Sequence, residues 1–98
     1  MLSTAQSPTS SSYPIEASGW DSTQSFFVER SELEWNEETG KCLALTHSLR
    51  PGAMIFLRLL QSAAPGRSLP VAYHTQFIGV TANGQQRFRL KPIHLNRD

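Results

Sequence analysis

The turn Arg50-Pro51-Gly52, and the run behind it, constrain this chain more than any other feature. Pro51 presets φ for the second turn position, and Gly52 supplies the positive φ of the third. Ala53 to Leu60 follows, rich in Met, Ile, Phe and Leu, which predicts a strand buried on much of both faces. A small polar loop then leads to Leu69-Pro-Val-Ala-Tyr-His-Thr-Gln-Phe-Ile78, which is β-branched and aromatic. Its proline lies near the start, where a missing ladder donor does little harm. Two long strands framed by turns set the class: a small antiparallel β domain.

The rest of the chain follows the same period. Gln24 to Arg30 reads as a strand, and Ser31 to Asn36 alternates, with Leu33 and Trp35 on one face and Glu32 and Glu34 on the other. Glu37-Glu-Thr-Gly40 is a turn with Gly40 where a left-handed residue is wanted. Lys41 to His47 returns as the partner strand, with Leu43 and Leu45 inward beside Leu33 and Trp35, so Trp35 is expected to line the core. Asn83-Gly84 predicts a type I′ hairpin turn. Gln86 to Lys91 buries Phe88 and Leu90 and exposes Arg87, Arg89 and Lys91, and Pro92 stops or edges that strand. No repeat is present, and no stretch beyond one turn has helical spacing. The expectation is an all-β fold: a small antiparallel β-barrel of about six strands.

A chain of 98 residues makes one domain at most. Residues 1–13 are Ser, Thr, Gln, Ala and Pro with almost no large apolar side chain, which predicts a disordered tail ahead of a single domain over 14–98. A net charge of +1 gives no compositional case for nucleic acid or an anionic membrane. The one cysteine, Cys42, excludes an internal disulfide and reads as a small buried hydrophobe in a reducing cytoplasm. No apolar run nears the ~18 residues of a membrane span, and no signal-peptide pattern opens the chain.

Chemistry is sparse. His47, His74 and His94 are scattered over separate elements with no cysteine or carboxylate pairing, so no metal site is expected, and His47 and His74 are placed on the wet side of strands. The acidic cluster Glu29, Glu32, Glu34, Glu37 and Glu38 is explained by an exposed strand and a turn. No serine sits in a nucleophile turn, and no glycine-rich phosphate loop is present, so neither enzyme nor cofactor is expected. Arg87, Arg89 and Lys91 share one side of a strand, with Arg58 and Arg67 expected nearby, and such a stripe can bind phosphates while Phe88 or Tyr73 stacks a base.

Phe26-Phe-Val-Glu29 is followed by Leu49-Arg-Pro-Gly52 heading a long strand, then by Val71 to Gly79 and, after a glycine turn, Arg87 to Leu90. From Gly19 to Leu95 this order resembles a PilZ domain, the small six-stranded β-barrel of bacterial cyclic di-GMP receptors. The resemblance implies nucleotide recognition by an Arg-x-x-x-Arg segment ahead of the barrel and by an Asp/Asn-x-Ser-x-x-Gly motif. No arginine precedes Arg30. The second motif falls at Asp21-Ser-Thr-Gln-Ser-Phe26, where Asp21 matches, Thr23 replaces Ser and Phe26 replaces Gly. The resemblance therefore implies a degenerate member that does not bind cyclic di-GMP in the usual way and works as a protein-interaction module. Trp20 is then either a plug for the barrel mouth, the favoured expectation, or an anchor for a partner. The reading is a non-enzymatic, cytoplasmic bacterial barrel that binds a protein. The alternative is nucleotide or single-stranded nucleic-acid binding through Asp21, Arg58, Arg87, Arg89 and Lys91.

Overall fold

A computed structural model describes residues 11–60 and 69–93. Six strands carry the fold: β1 (Ser11–Trp20), β2 (Phe26–Asn36), β3 (Gly40–Leu45), β4 (Met54–Leu59), β5 (Val71–Val80) and β6 (Gln86–Pro92). All pair antiparallel and close into a barrel in the order β1-β2-β3-β6-β5-β4. Among the described residues there is no helix. The all-β expectation holds, as does its strand count.

Period-two alternation does the sorting. Ile15 and Ala17 of β1, Phe27 and Leu33 of β2, Leu43 and Leu45 of β3, Ile55 and Leu57 of β4, and Phe88 and Leu90 of β6 point inward and form the core. Their neighbours point out. Strand β5 contributes the buried Thr75, whose amide and hydroxyl both donate to the Ala53 carbonyl, at 2.9 and 2.8 Å. A barrel this narrow is filled by its own side chains and keeps no lumen for a ligand. Anything it binds must sit outside.

Ring order places β3 and β4 on opposite sides of the barrel, so the connection 46–53 must cross its upper mouth. Leu49 in this strap packs onto the core and closes the mouth. The strap is tied on each side: Ser22 donates its amide to the Ser48 carbonyl at 2.7 Å, and Gln86 donates to the Ser48 hydroxyl at 2.8 Å. Its start is secured from β2. That strand pairs with β3 only from Glu34↔Cys42 to Asn36↔Gly40, and side chains replace the missing ladder beyond. The Ser31 hydroxyl donates to the Ala44 carbonyl, and the Glu29 carboxylate accepts from the Thr46 amide and meets His47 Nδ1 at 2.7 Å. The His47 ring stacks on Phe27 with centroids 4.4 Å apart, so His47 is half-buried in the strap and not on a wet strand face.

Several sequence expectations change. Strand β1 begins at Ser11, which takes Ser11 to Tyr13 out of the expected 1–13 tail; the Ser12 hydroxyl bonds Glu32, and Tyr13 pairs with Leu33. Serine disguised this strand, because only every second residue had to be apolar. Strand β4 is buried on one face only, since Met54 and Arg58 project outward from the closed sheet. The turn at Thr81–Gln85 is not type I′: Gly84 has φ 87° and Asn83 does not share a positive φ, so three residues bridge the strands instead of two. Gly40 and Gly52 do take the left-handed φ expected of them. Cys42 is buried, as expected. Trp35 keeps its inward direction, but it sits on the last rung opposite Lys41 at the open lower end and is 47% exposed.

Phe88→Ala is therefore expected to cost about 3–5 kcal/mol in urea denaturation, and Trp35→Ala less than half of that. Gly19→Ala should cost about 1–3 kcal/mol by overpacking, because its Cβ would lie 3.2 Å from both Ile55 Cγ2 and the Met54 carbonyl.

Candidate functional site

The upper end of the barrel carries two hairpin loops of the same design. In one, Thr81 donates its amide to the Gln85 carbonyl, and its hydroxyl accepts from the Asn83 and Gln85 amides. In the other, Asp21 plays this part: its amide donates to the Ser25 carbonyl, and Oδ1 accepts from the Thr23 amide, the Thr23 hydroxyl and the Ser25 amide at 2.7–2.9 Å. Asp21 thus organises its own loop through that oxygen. The hydrogen bonds from the Thr23 hydroxyl and the Ser25 amide hold its carboxyl below the usual 3.8.

The loops differ most at the position that turns left-handed. Gly84 is left-handed in the second, and Gln24 takes φ 70° in the first, where a side chain is strained. The strained residue has a specific neighbour: with its side-chain amide turned so that the oxygen faces the strap, that oxygen lies 2.9, 3.1 and 3.2 Å from Arg50 Nη1, Nη2 and Nε. The hairpin and the strap thus bring the Arg50 guanidinium beside Gln24 and Trp20.

Trp20 does not plug the mouth. Leu49 does that, and β1 alternation turns the indole outward, 51% exposed, edge-on to Phe26 at 5.1 Å between centroids. The two residues begin a row that runs around the barrel. Phe26 pairs with Trp20; one rung past Gly19↔Ile55, Trp20 meets Met54; Met54 pairs with His74, and His74 with Lys91. All five side chains point outward and are exposed. The row is apolar over β2, β1 and β4 and cationic over β5 and β6, with Val28 (exposed) below Phe26 and Arg50 above. A hollow of about 350 Å³ lies between Trp20, Gln24, Arg50 and Met54.

The basic residues expected to act together are mostly engaged elsewhere. Arg87 faces Glu34 at 3.4 Å, Arg89 donates to the Thr39 carbonyl at 3.2 Å over Cys42, and Arg58 forms an ion pair with Glu16 at 2.7 Å. Arg58 stands on β4, across β5 from the other three, so the ring order breaks up the stripe. Lys91 alone joins the row. Arg67 and His94 lie outside the described residues. Tyr73 is not a stacking platform on this face: it turns inward at the lower end, where Lys41 Nζ lies 3.2 Å from its hydroxyl and 5.2 Å from its ring centroid. Phe88 is buried. Among the described residues no cluster of His, Cys, Asp and Glu could hold a metal ion.

Sequence reasoning missed Phe26, Val28, Met54 and Arg50. The alternation that buries Phe27 was enough to turn Phe26 and Val28 outward, but the strand order that aligns them with Met54 and His74 is a tertiary fact. No protein-family model matches the chain, and no curated protein or solved structure is detectably similar to it.

A depressed carboxyl stabilises the fold fully above its ordinary pKa, and the contribution is lost as pH falls through the lower folded value. Thermal melts should therefore show the wild-type protein losing stability below about pH 4 more steeply than Asp21→Asn, with the two curves parallel at neutral pH.

Proposed function

We propose that this protein is a non-enzymatic interaction module that docks a protein partner on the row from Phe26 to Lys91. The observation that carries the reading is the row itself: three large apolar side chains in register on the outside of a barrel whose core is already complete without them. Exposed apolar residues scattered singly need no explanation, whereas an aligned aromatic pair with a neighbouring Met and Arg has the composition of an interface centre. Arg50 adds a donor fork at its edge.

The PilZ-like resemblance is part of this proposal. The closed six-stranded barrel is what that resemblance implies for the fold, and the missing arginines ahead of Arg30 argue against the usual grip on cyclic di-GMP. A bacterial, cytoplasmic setting belongs to the same proposal, resting on that resemblance and on the single buried cysteine. Among the described residues no helix is long and apolar enough to cross a membrane. Nucleic-acid binding through β6 is less favoured because Arg87 and Arg89 already have protein partners.

The test is a comparison of wild-type protein with a Trp20→Ser, Phe26→Ser double variant. Both positions are exposed, so melting should change little, by about 0.5 kcal/mol per site. Photo-crosslinking in source cells should yield a discrete protein adduct that the double variant loses. An adduct of equal yield in both, or recovery of nucleic acid alone, would contradict the reading.

A further inference from the structure

Strand β4 pairs with β5 only from Met54↔His74 to Leu57↔Val71, whereas β5 runs on to Val80. The last bond along this edge is from the Thr75 amide to the Ala53 carbonyl, and the strap diverges from there. Successive residues of a strand direct their backbone groups to opposite edges, so Phe77, two residues on, points its N–H and C=O at the opened edge. Phe77 pairs with Phe88 on the β6 side, and among the described residues no loop backbone group or side chain bonds it from the strap side. The edge is apolar as well as open: Phe77 is 55% exposed, Val80 is 61% exposed, and Ile78 bulges between them.

Between this edge and the strap lies a groove of about 880 Å³. Leu49 and Phe77 give it an apolar floor, and Arg50, His74 and Lys91 stand around it. No Asp or Glu lines it. Resting on the reading above, in which a protein partner docks here, we infer that the partner's segment is an extended peptide of alternating acidic and apolar residues, added as a strand to the free edge of β5. Backbone pairing with Phe77 supplies the geometry, apolar side chains settle on Phe77 and Leu49, and carboxylates meet the cationic rim.

The sequence outside the described residues lacks the charge this groove selects. Residues 1–10 and 61–68 contain no acidic side chain, and residues 94–98 contain only Asp98, next to Arg97. A second copy pairing edge to edge through β5 would bring Arg50, His74 and Lys91 against their own counterparts, a like-charge juxtaposition that opposes association. The bulge beyond Phe77 also shortens and twists the edge, a device that discourages indefinite sheet growth and leaves room for one short strand.

The probe is an eight-residue peptide alternating glutamate and valine, titrated into the isotope-labelled full chain. Controls are its lysine–valine counterpart and a form N-methylated at alternate amides. The expected result is NMR shifts at Phe77 to Val80 and slowed exchange of the Phe77 amide. Affinity should fall about tenfold for either control peptide and for an Arg50→Gln, Lys91→Gln variant of unchanged melting temperature. Equal binding of the N-methylated peptide, shifts confined to other strands, or binding of oligothymidylate or phosphatidylserine vesicles without binding of the peptide would overturn the inference. The two readings fail separately. A cellular adduct lost with Trp20→Ser, Phe26→Ser while the peptide stays silent removes the strand addition and keeps the docking row. Peptide binding at β5 with an adduct indifferent to those substitutions removes the row and keeps the strand addition.

Discussion

Everything at the upper end of this barrel follows from one topological requirement: the chain leaves β3 and must reach β4 on the far side of the ring. A connection over the open mouth carries backbone polar groups across an apolar surface, and each buried one needs a partner. The protein meets the requirement with Leu49 facing down into the core and with donors and acceptors arriving from β2, β6 and the β1–β2 hairpin. The Glu29 carboxylate is central, because β2 and β3 have separated there and the carboxylate takes the amide that a ladder would otherwise hold. Interior, strap and surface are one design. The same strap that seals the mouth sets Arg50 beside Trp20 and ends the cover of β5 at Thr75.

The alternation of Leu33 with Glu34, of Phe88 with Arg89 and of Leu43 with Ala44 was legible directly, because a half-buried strand writes its two faces into successive residues. The glycines at 40 and 52 were legible for the same kind of reason: a left-handed φ excludes most alternatives. Three features were not. The start of strand β1 hid behind serines, since Ser11 and Ser12 carry no apolar signal on either face. Trp35 sits on a face that is correctly inward and yet at a rung where the barrel ends, and no local pattern states where a barrel ends. The basic stripe looked coherent along β6, but the carboxylate that answers Arg87 lies on β2, and Arg58 lies across β5. Pairwise electrostatics depends on ring order, which period-two reading does not contain.

The site was legible only in part. Trp20 was visible as an unusual aromatic, but its direction depended on which residue filled the mouth, and that proved to be Leu49. Asp21 looked like half of a ligand motif and serves as the acceptor that folds its own loop, the role Thr81 takes in the twin loop. Gln24 is informative because it departs from the rule its twin obeys: a strained backbone is retained where its side chain faces Arg50. A six-stranded barrel has no interior to offer, so function on this scaffold is written on its outer rows, its loops and whichever edge closure leaves free.

The central claim is that the strap diverges from β5 after Thr75 and leaves a usable edge. Amide hydrogen exchange along β5 tests it directly. The account predicts slow exchange at Thr75, held by the Ala53 carbonyl, and at Gln76, which faces β6, with exchange at Phe77 faster by about two orders of magnitude or more. Protection of Phe77 equal to that of its neighbours in the isolated protein would mean that the edge is already paired, and the account of the groove would be wrong.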